Sequence, residues 1–181
     1  MTKSAVVIGL DIQVRGVACT TIDLLTGAYL SSDWYQINET ETERRILETY
    51  NCCQFTSNRI SKDYHISIAA VEFPTANVSS SSYILWMLAG AAIAALTPFC
   101  DICEGIVPSS WKKYSGLNTW AKERNLCKRG IILKQEIKNG IISLDSNIPS
   151  HLSPVDLYDS IAIAKGARVR NEERVNGNSK S

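Results

Sequence analysis

Hydrophobic residues near the amino terminus follow the pattern of three consecutive β-strands. Residues 5–11 are almost continuously apolar, which is typical of a strand buried on both faces of a sheet. Residues 16–24 and 27–35 alternate between apolar and polar side chains, and only short turns separate the three segments. The pattern therefore predicts a sheet that begins as an antiparallel meander.

The middle of the chain alternates between predicted helices and strands. After a surface helix over residues 39–55, a second continuously apolar strand over residues 66–72 should lie beside the first one. An alanine-rich helix over residues 79–96 ends before Pro98, and residues 101–107 form a fifth strand. This order predicts an α/β fold in which helices cover both faces of a central five-stranded mixed sheet.

The last third of the chain is predicted to be helical with several breaks. A helix capped by Ser109 or Ser110 begins near residue 111 and ends at Gly116. The later predicted elements are a basic helical region over residues 119–138, a turn at Asn139 and Gly140, an irregular loop over residues 144–152, and a final helix over residues 155–167.

Composition narrows the class of protein. With 45% hydrophobic and 20% charged residues, the chain fits one compact domain over residues 1–170, and the polar tail over residues 171–181 is predicted to be disordered. Six cysteines without a signal peptide indicate an intracellular protein with reduced thiols.

Cys100 and Cys103 have the spacing of zinc ligands, but no Cys- and His-rich segment surrounds them, which favours buried thiols. The longest apolar run, residues 83–96, is too short to predict a membrane span.

Positive charge is concentrated in one stretch of a nearly neutral chain. Residues 1–111 carry 6 basic and 11 acidic side chains, whereas residues 112–138 carry 8 basic and 2 acidic ones, a net charge of +6. Such a basic face either binds a polyanion or is simply a solvated helix surface. Its basic residues are Lys112, Lys113, Lys122, Arg124, Lys128, Arg129, Lys134 and Lys138.

Four carboxylates are predicted to meet at one edge of the sheet. Asp11 ends the first apolar strand and Glu72 ends the strand beside it, while the last helix opens with Asp156 and Asp159. At a separation of about 4 Å and an effective dielectric constant near 20, two such charges repel by about 4 kcal/mol, so several ionised acids need a cation among them. Each acid also has a structural alternative, and Asp156 in particular could cap its helix. Together the four acids predict a magnesium-type catalytic site.

Four segments of the sequence, in order, resemble the RuvC-type Holliday junction resolvases of the ribonuclease H-like superfamily, including their viral and organellar relatives. The segments are Val7-Ile8-Gly9-Leu10-Asp11, Ala70-Val71-Glu72 before the Ser/Ala-rich helix, Ile106-Val107-Pro108 before Trp111-Lys112, and Asp156-Leu157-Tyr158-Asp159 before Ser-Ile-Ala-Ile-Ala. Each segment is weak alone, but their order and spacing are specific. The turn after Asp11 differs, because the relatives commonly have an early glycine there.

The resemblance implies a ribonuclease H-like nuclease that cleaves four-way DNA junctions. Asp11, Glu72, Asp156 and Asp159 would bind two Mg²⁺ ions about 3.5–4 Å apart, with Asp11 bridging both ions and Mn²⁺ able to substitute. The basic residues named above would contact the DNA backbone. Phe73 follows the catalytic glutamate, where relatives place a residue that probes the junction core. Its ring would stack on an unpaired base, although packing in the core explains Phe73 equally well.

The helix over residues 79–96 is expected to do more than fill the core. It is apolar on nearly every face and has small residues in its middle, so one face would pack on the sheet and another on a second copy of the chain. A two-fold homodimer would present two active sites to a junction of near two-fold symmetry and produce paired, symmetric nicks. A core helix within a monomer is the alternative.

Other functions use these features less completely. A nuclease for RNA–DNA hybrids or other branched DNA would need the same acids, so only a comparison of substrates separates it from a junction resolvase. A sugar-kinase or actin-like ATPase would need a duplicated domain and a glycine-rich turn after Asp11, both of which the sequence lacks. A non-catalytic nucleic-acid-binding protein has no need of all four acids. His151 is a weaker candidate for proton transfer, because a loop histidine is more often simply solvated.

Overall fold

One five-stranded mixed sheet forms the centre of the protein in the computed structural model, which describes residues 3–75, 80–126 and 132–178. The strands are β1 (Ala5–Gln13), β2 (Gly16–Asp23), β3 (Tyr29–Gln36), β4 (His65–Glu72) and β5 (Cys100–Ile106). Their order in the sheet is β3-β2-β1-β4-β5. Because β1 pairs antiparallel with β2 and parallel with β4, the predicted mixed sheet and its opening meander are confirmed.

Helices cover both faces of this sheet. The α-helices within the described ranges are α1 (Thr42–Asp63), α2 (Ser80–Leu96), α3 (Pro108–Tyr114), α4 (Leu117–Glu123), α5 (Lys134–Leu144) and α6 (Asp156–Asn178). Alternate residues of β1 enter two cores: Ile8 and Leu10 pack with α1 and α2, while Val7 packs with α6. This two-sided burial is the reason that β1 reads as a continuous apolar run. Among the described helices, none is long and apolar enough to cross a membrane.

Gly9 lets α6 cross directly over the middle of β1. A Cβ atom at this position would lie 2.4 Å from the Ser160 carbonyl oxygen and 2.4 Å from the Ala164 nitrogen, distances that no real side chain tolerates. Only glycine therefore allows the two backbones to approach this closely. The consequence is that the first turn of α6 lies beside the carboxyl half of β1.

Several predicted helix boundaries are wrong. The first helix ends at Asp63 instead of residue 55. The basic helical region predicted over residues 119–138 is interrupted, because α4 ends at Glu123 and α5 begins at Lys134. Asn139 and Gly140 lie inside α5, where the predicted turn is absent. Gly140 allows α5 to pack closely against α4, because a Cβ at this position would lie 2.6 Å from the Leu117 side chain.

The start of α3 also differs from the prediction. This helix begins at Pro108, its N-cap residue is Val107, and no side chain caps it, so neither Ser109 nor Ser110 has the predicted capping role. Proline favours the first helical position because it has no N–H group that needs a partner and its φ angle suits the helix. Gly116 does separate α3 from α4, as predicted, and it has a left-handed backbone with φ of 83°.

The predicted disorder after residue 170 is wrong for the described part of the tail, because α6 continues to Asn178. Arg174, a charged residue that the composition assigned to a disordered tail, instead pairs with the sheet. Arg174 lies 2.8 Å from Glu104 on β5, and Arg170 lies 3.5 Å from the same carboxylate. These ion pairs tie the extended helix to the edge strand of the sheet.

Candidate active site

Three carboxylates from opposite ends of the chain meet beside the sheet. Asp11 lies on the face of β1 that α6 covers, and the first turn of α6 carries Asp156 and Asp159. One ligand oxygen from each of the three residues lies within 4.8 Å of the other two. The amino-terminal end of a helix favours negative charge, so the orientation of α6 suits this arrangement. The structure thus brings together three of the four acids that the sequence singled out.

Glu72 lies outside this three-acid group but lines the same cleft. It ends β4, which runs parallel to β1, and its negative charge acts on Asp11. The open cleft has a volume of about 560 Å³, and its walls include Asp11, Glu72 and Asp159. The arrangement is therefore asymmetric, with three acids clustered at one end and the fourth set apart.

Burial makes these acids difficult to ionise. Asp11 is 5% exposed and Asp159 is 6% exposed. Burial, followed by the charges of Glu72 and Asp159, raises the pKa of Asp11 well above its usual range. Burial likewise raises the pKa of Asp159, and burial together with the Asp159 charge raises the pKa of Glu72 to about 7. Their desolvation and mutual repulsion would be relieved by a cation.

Two nitrogen donors lie among the clustered acids. The Gln13 amide donates hydrogen bonds of 2.8 Å to Asp11 and 2.6 Å to Asp156. The Lys134 ammonium, at the start of α5, donates to Asp156 and lies 3.4 Å from Asp159. Although burial acts in the opposite direction, the hydrogen bond to Asp156 and the nearby acids raise the pKa of Lys134. These contacts offset part of the repulsion between the carboxylates.

The α3 helix supplies a second pair of side chains, next to Glu72. Trp111 is fully buried, and its indole nitrogen has no partner at normal hydrogen-bond geometry among the described residues. The indole N–H nevertheless faces Glu72. Burial raises the pKa of Glu72, whereas the positive charge of Lys112 and, to a smaller extent, the Trp111 N–H lower it. The Lys112 ammonium lies 4.9 Å from the centre of the Trp111 ring and lines the cleft. Both residues therefore favour the ionised form of Glu72.

The donor set fits a hard divalent cation. All four acids offer carboxylate oxygens, the ligands that Mg²⁺ and Mn²⁺ prefer. The acids Asp11 and Asp159 keep raised pKa values despite Gln13 and Lys134, so the protein alone does not neutralise the cluster. Asp11, Asp156 and Asp159 could hold one cation, and Glu72 could join Asp11 in holding another.

The basic candidates from the sequence divide into separate groups. Lys112 and Lys134 line the cleft. Lys113 and Lys138 lie over the rings of Tyr114 and Tyr158, respectively. Lys122 is exposed at the end of α4, and Arg124 lies over the Trp120 ring. The predicted contacts Lys128 and Arg129 fall outside the described residues. The structure therefore places two of the lysines, from different helices, directly beside the acids.

Phe73 is packed against other side chains. Its ring lies edge-on to Trp86 with centroids 4.4 Å apart, and the Phe73 side chain fills the space above Gly105. These contacts favour the packing alternative over stacking on a base. His151 is exposed and is not among the residues lining the cleft.

The Cys100 and Cys103 thiols are partly buried and donate to backbone carbonyls of Leu96 and Ile93. Both thiols are free, as predicted. Within the described part of the chain, the acids are the one cluster whose ligand atoms are close enough to hold a metal ion. The geometry therefore gives the zinc alternative no support.

Three residues of the cleft escaped the sequence reasoning: Gln13, Arg15 and Trp111. The turn that begins at Gln13 is short, and the exposed Arg15 that follows it lines the cleft. The absence of an early glycine from the turn after Asp11 was the available signal for Gln13. For Trp111 the only signal was its place next to Lys112, within a matching segment.

Comparison with known proteins supports the fold. Thermus thermophilus RuvC, in complex with its Holliday junction substrate, aligns with a TM-score of 0.67 and 13% sequence identity, covering 93% of this chain and 95% of that chain. A second structure of T. thermophilus RuvC aligns with a TM-score of 0.66 and 14% sequence identity, covering 93% of this chain and 96% of that chain. The yeast mitochondrial Holliday junction resolvase Ydc2 aligns with a TM-score of 0.55 and 13% sequence identity, covering 98% of this chain and 85% of that chain. No protein-family profile and no curated protein sequence matches this chain. The predicted ribonuclease H-like fold and its likeness to the RuvC-type resolvases are confirmed at the level of structure.

Proposed function

We propose that this protein is a metal-dependent DNA endonuclease that resolves four-way junctions by paired, symmetric nicks. The observation that carries the proposal is the cluster formed by Asp11, Asp156 and Asp159, whose ligand oxygens lie within 4.8 Å of one another. Two of these acids, Asp11 and Asp159, line an open cleft. The fold around this cluster is shared with junction resolvases over nearly the whole chain. A cluster of buried acids in an open cleft suits a reaction at a phosphate held by cations.

The four acids would hold the cations from different elements of the fold. Two divalent cations, when bound, would activate the attacking water and stabilise the leaving 3′ oxygen of the scissile phosphodiester. Asp11 belongs to the three-acid cluster and also interacts with the charge of Glu72, so it is the residue suited to join both cations. Asp156 and Asp159 hold their place through the rigid first turn of α6, and Glu72 holds its place at the end of β4. The anchoring of all four on packed elements fixes the geometry before substrate arrives.

Basic side chains on the walls of the cleft would orient the DNA backbone. Lys112 and Lys134 flank the acids from two different helices, and Arg15 adds a third positive charge on the rim. An ammonium or guanidinium group contacts a phosphate without reading the base, which suits a nuclease that selects substrate by shape. The predicted contacts Lys113, Lys122, Arg124, Lys128 and Arg129 would extend this surface away from the cleft.

A homodimer through α2 would account for paired nicks. The exposed positions of this helix form one stripe that includes Tyr83, Trp86, Gly90 and Ala94, at the three- to four-residue spacing of a helix face. Tyr83 is 63% exposed and Trp86 is 37% exposed, and nothing lies within 4 Å of the position of a Cβ on Gly90. Large apolar side chains beside small residues suit close helix packing between two copies of the chain.

Cleavage of a synthetic four-way junction is the direct test. The junction would be compared, in Mg²⁺ and in Mn²⁺, with a linear duplex of the same sequence, a flap and an RNA–DNA hybrid. We expect the junction to be cut preferentially, at symmetric positions in two strands, to give nicked duplexes that DNA ligase can seal. Preferential cutting of the hybrid would instead assign the same acids to a ribonuclease H activity. No cutting of any substrate would contradict the enzyme proposal.

A further inference from the structure

Gln13 makes the most specific contact with the clustered acids. It is the last residue of β1, and its Nε2 atom donates to Oδ2 of Asp11 at 2.8 Å and to Oδ1 of Asp156 at 2.6 Å. One amide therefore bridges the end of the first strand and the start of the last helix. Lys134 donates to the same oxygen of Asp156 but approaches Asp159, so Gln13 is the donor placed between Asp11 and Asp156.

This bridging position is also the one that a cation would take. A Mg²⁺ ion binds carboxylate oxygens at about 2.0–2.1 Å, and an ion shared by Asp11 and Asp156 would lie between the same two oxygens. The N–H hydrogens of Gln13 carry partial positive charge and point at those oxygens. An amide that donates to both acids and a cation that binds both acids thus compete for one place.

We propose that Gln13 is a positioning residue that stands in for the cation in the metal-free protein. It holds Asp11 and Asp156 together before metal arrives and withdraws when a cation bridges the two carboxylates. The proposal rests on the proposed metal-dependent function and adds a regulatory role for a residue next to the ligands. A neutral amide suits this role, because it leaves a carboxylate at a lower cost than a charged ammonium would.

The stand-in has a thermodynamic consequence with a definite sign. A contact that stabilises only the metal-free form weakens metal binding by the same free energy, because binding must break the contact. Removal of the Gln13 amide should therefore destabilise the metal-free protein and tighten its affinity for the cation. A residue that only packs would destabilise both forms equally, and a residue that ligates the cation would loosen binding when removed.

The experiment compares Gln13→Met with the wild-type protein in the absence of DNA. Methionine keeps the length of the side chain and removes the N–H donors, and Gln13→Ala serves as a second variant. Gln135→Met is the matched control, since Gln135 is exposed on α5 and its amide donates to Asn139 at 3.3 Å. Thermal unfolding in EDTA gives the stability of the metal-free form. Isothermal titration calorimetry or electron paramagnetic resonance with Mn²⁺ gives the dissociation constant.

We expect Gln13→Met to lower the Tm in EDTA by roughly 3–5 °C. We also expect it to lower the Kd for Mn²⁺ by about tenfold, which corresponds to about 1.4 kcal/mol. Gln135→Met should leave both values unchanged. An unchanged or raised Kd in both Gln13 variants would overturn the stand-in role. A wild-type protein that binds no Mn²⁺ would contradict the proposed metal-dependent nuclease itself, which is a separate and distinguishable failure.

Discussion

Gly9 and Ser160 lie where the last helix crosses the first strand: a Cβ on Gly9 would lie 2.4 Å from the Ser160 carbonyl oxygen. Asp11 is two residues along the strand from Gly9, and Asp159 immediately precedes Ser160. The contact between two backbones is therefore what sets the separation of two acids. The glycine in the first strand is as much a part of the site as the acid that follows it.

Replacement of this glycine should damage the fold and the site together. In Gly9→Ala the added methyl group must displace α6, and overpacking of this kind costs about 1–3 kcal/mol or more. We expect a decrease in Tm of roughly 5–10 °C, measured by circular dichroism. Gly177→Ala, in the last turn of the same helix and with no atom within 4 Å of a new Cβ, is the control that should retain the wild-type Tm.

Neutralising the acids should separate activity from stability. We expect Asp11→Asn, Glu72→Gln and Asp159→Asn each to reduce junction cleavage by roughly 10²-fold or more, as when one electrostatic contact to a transition state is lost. Junction binding, measured in Ca²⁺ by gel shift, should persist. Because burial and repulsion raise the pKa of Asp11, Asp11→Asn should also raise the Tm in EDTA. Asp101→Asn, in an exposed acid on β5, should cleave normally, and near-normal turnover in any of the three would remove that residue from the site.

The pKa of Glu72 predicts how the stability of the metal-free protein depends on pH. The ordinary pKa of Glu72 is 4.5, and burial and Asp159 raise the pKa to about 7 in the folded protein. Between these values the folded state retains a proton that the unfolded state has lost, so the free energy of unfolding falls as the pH rises. We expect the Tm in EDTA to decrease from pH 5 to pH 8. In Glu72→Gln this decrease should be smaller, and an identical profile in the variant would show that Glu72 does not titrate in this range.

The adjacent lysines at the end of α3, Lys112 and Lys113, should determine how binding responds to salt. Each phosphate contact that is lost reduces the slope of log K against log salt by roughly 0.9, so Lys112→Ala combined with Lys113→Ala should flatten the slope by up to about 2. Fluorescence anisotropy with a labelled junction at several salt concentrations gives this slope. Lys62→Ala, in the last turn of α1, should leave it unchanged. A wild-type slope in the double variant would show that these two lysines do not contact DNA and belong to a solvated helix surface.

Charge placed on the exposed stripe of α2 should separate a dimer into monomers. We expect Tyr83→Glu combined with Ala94→Glu to change the mass in light scattering from that of a dimer to about 20 kDa. Phe55→Glu on α1 is the matched control, because Phe55 is 61% exposed, nearly the same as Tyr83. A wild-type protein that stays at 20 kDa, alone and with junction DNA, would exclude the dimer and the paired-nick mechanism.

The sequence by itself determined the sheet and the acids of the candidate site. The apolar runs that became β1 and β4 are readable because strands buried on both faces must be continuously apolar. Asp11, near the end of β1, and Glu72, at the end of β4, interrupt this pattern, and a buried charge costs enough free energy to indicate a function. Asp159, among apolar residues of the last helix, stands out for the same reason. These strands and acids could be predicted from the sequence, since each is recognised from its immediate neighbours along the chain.

Only the tertiary structure decided which other side chains reach those acids. Gln13 and Asp156 are 143 positions apart, and no local pattern relates them until α6 crosses β1 above Gly9. The same holds for Lys134, which among the described basic residues of its stretch is the one that contacts Asp156. The tail shows the same limit, because α6 continues to Asn178 and Glu104 on β5 supplies a partner for Arg174 that the tail composition cannot reveal. Burial can be read from a sequence because it depends on the composition of each element, whereas a hydrogen bond depends on the relative placement of two elements, which the packing of the whole chain determines.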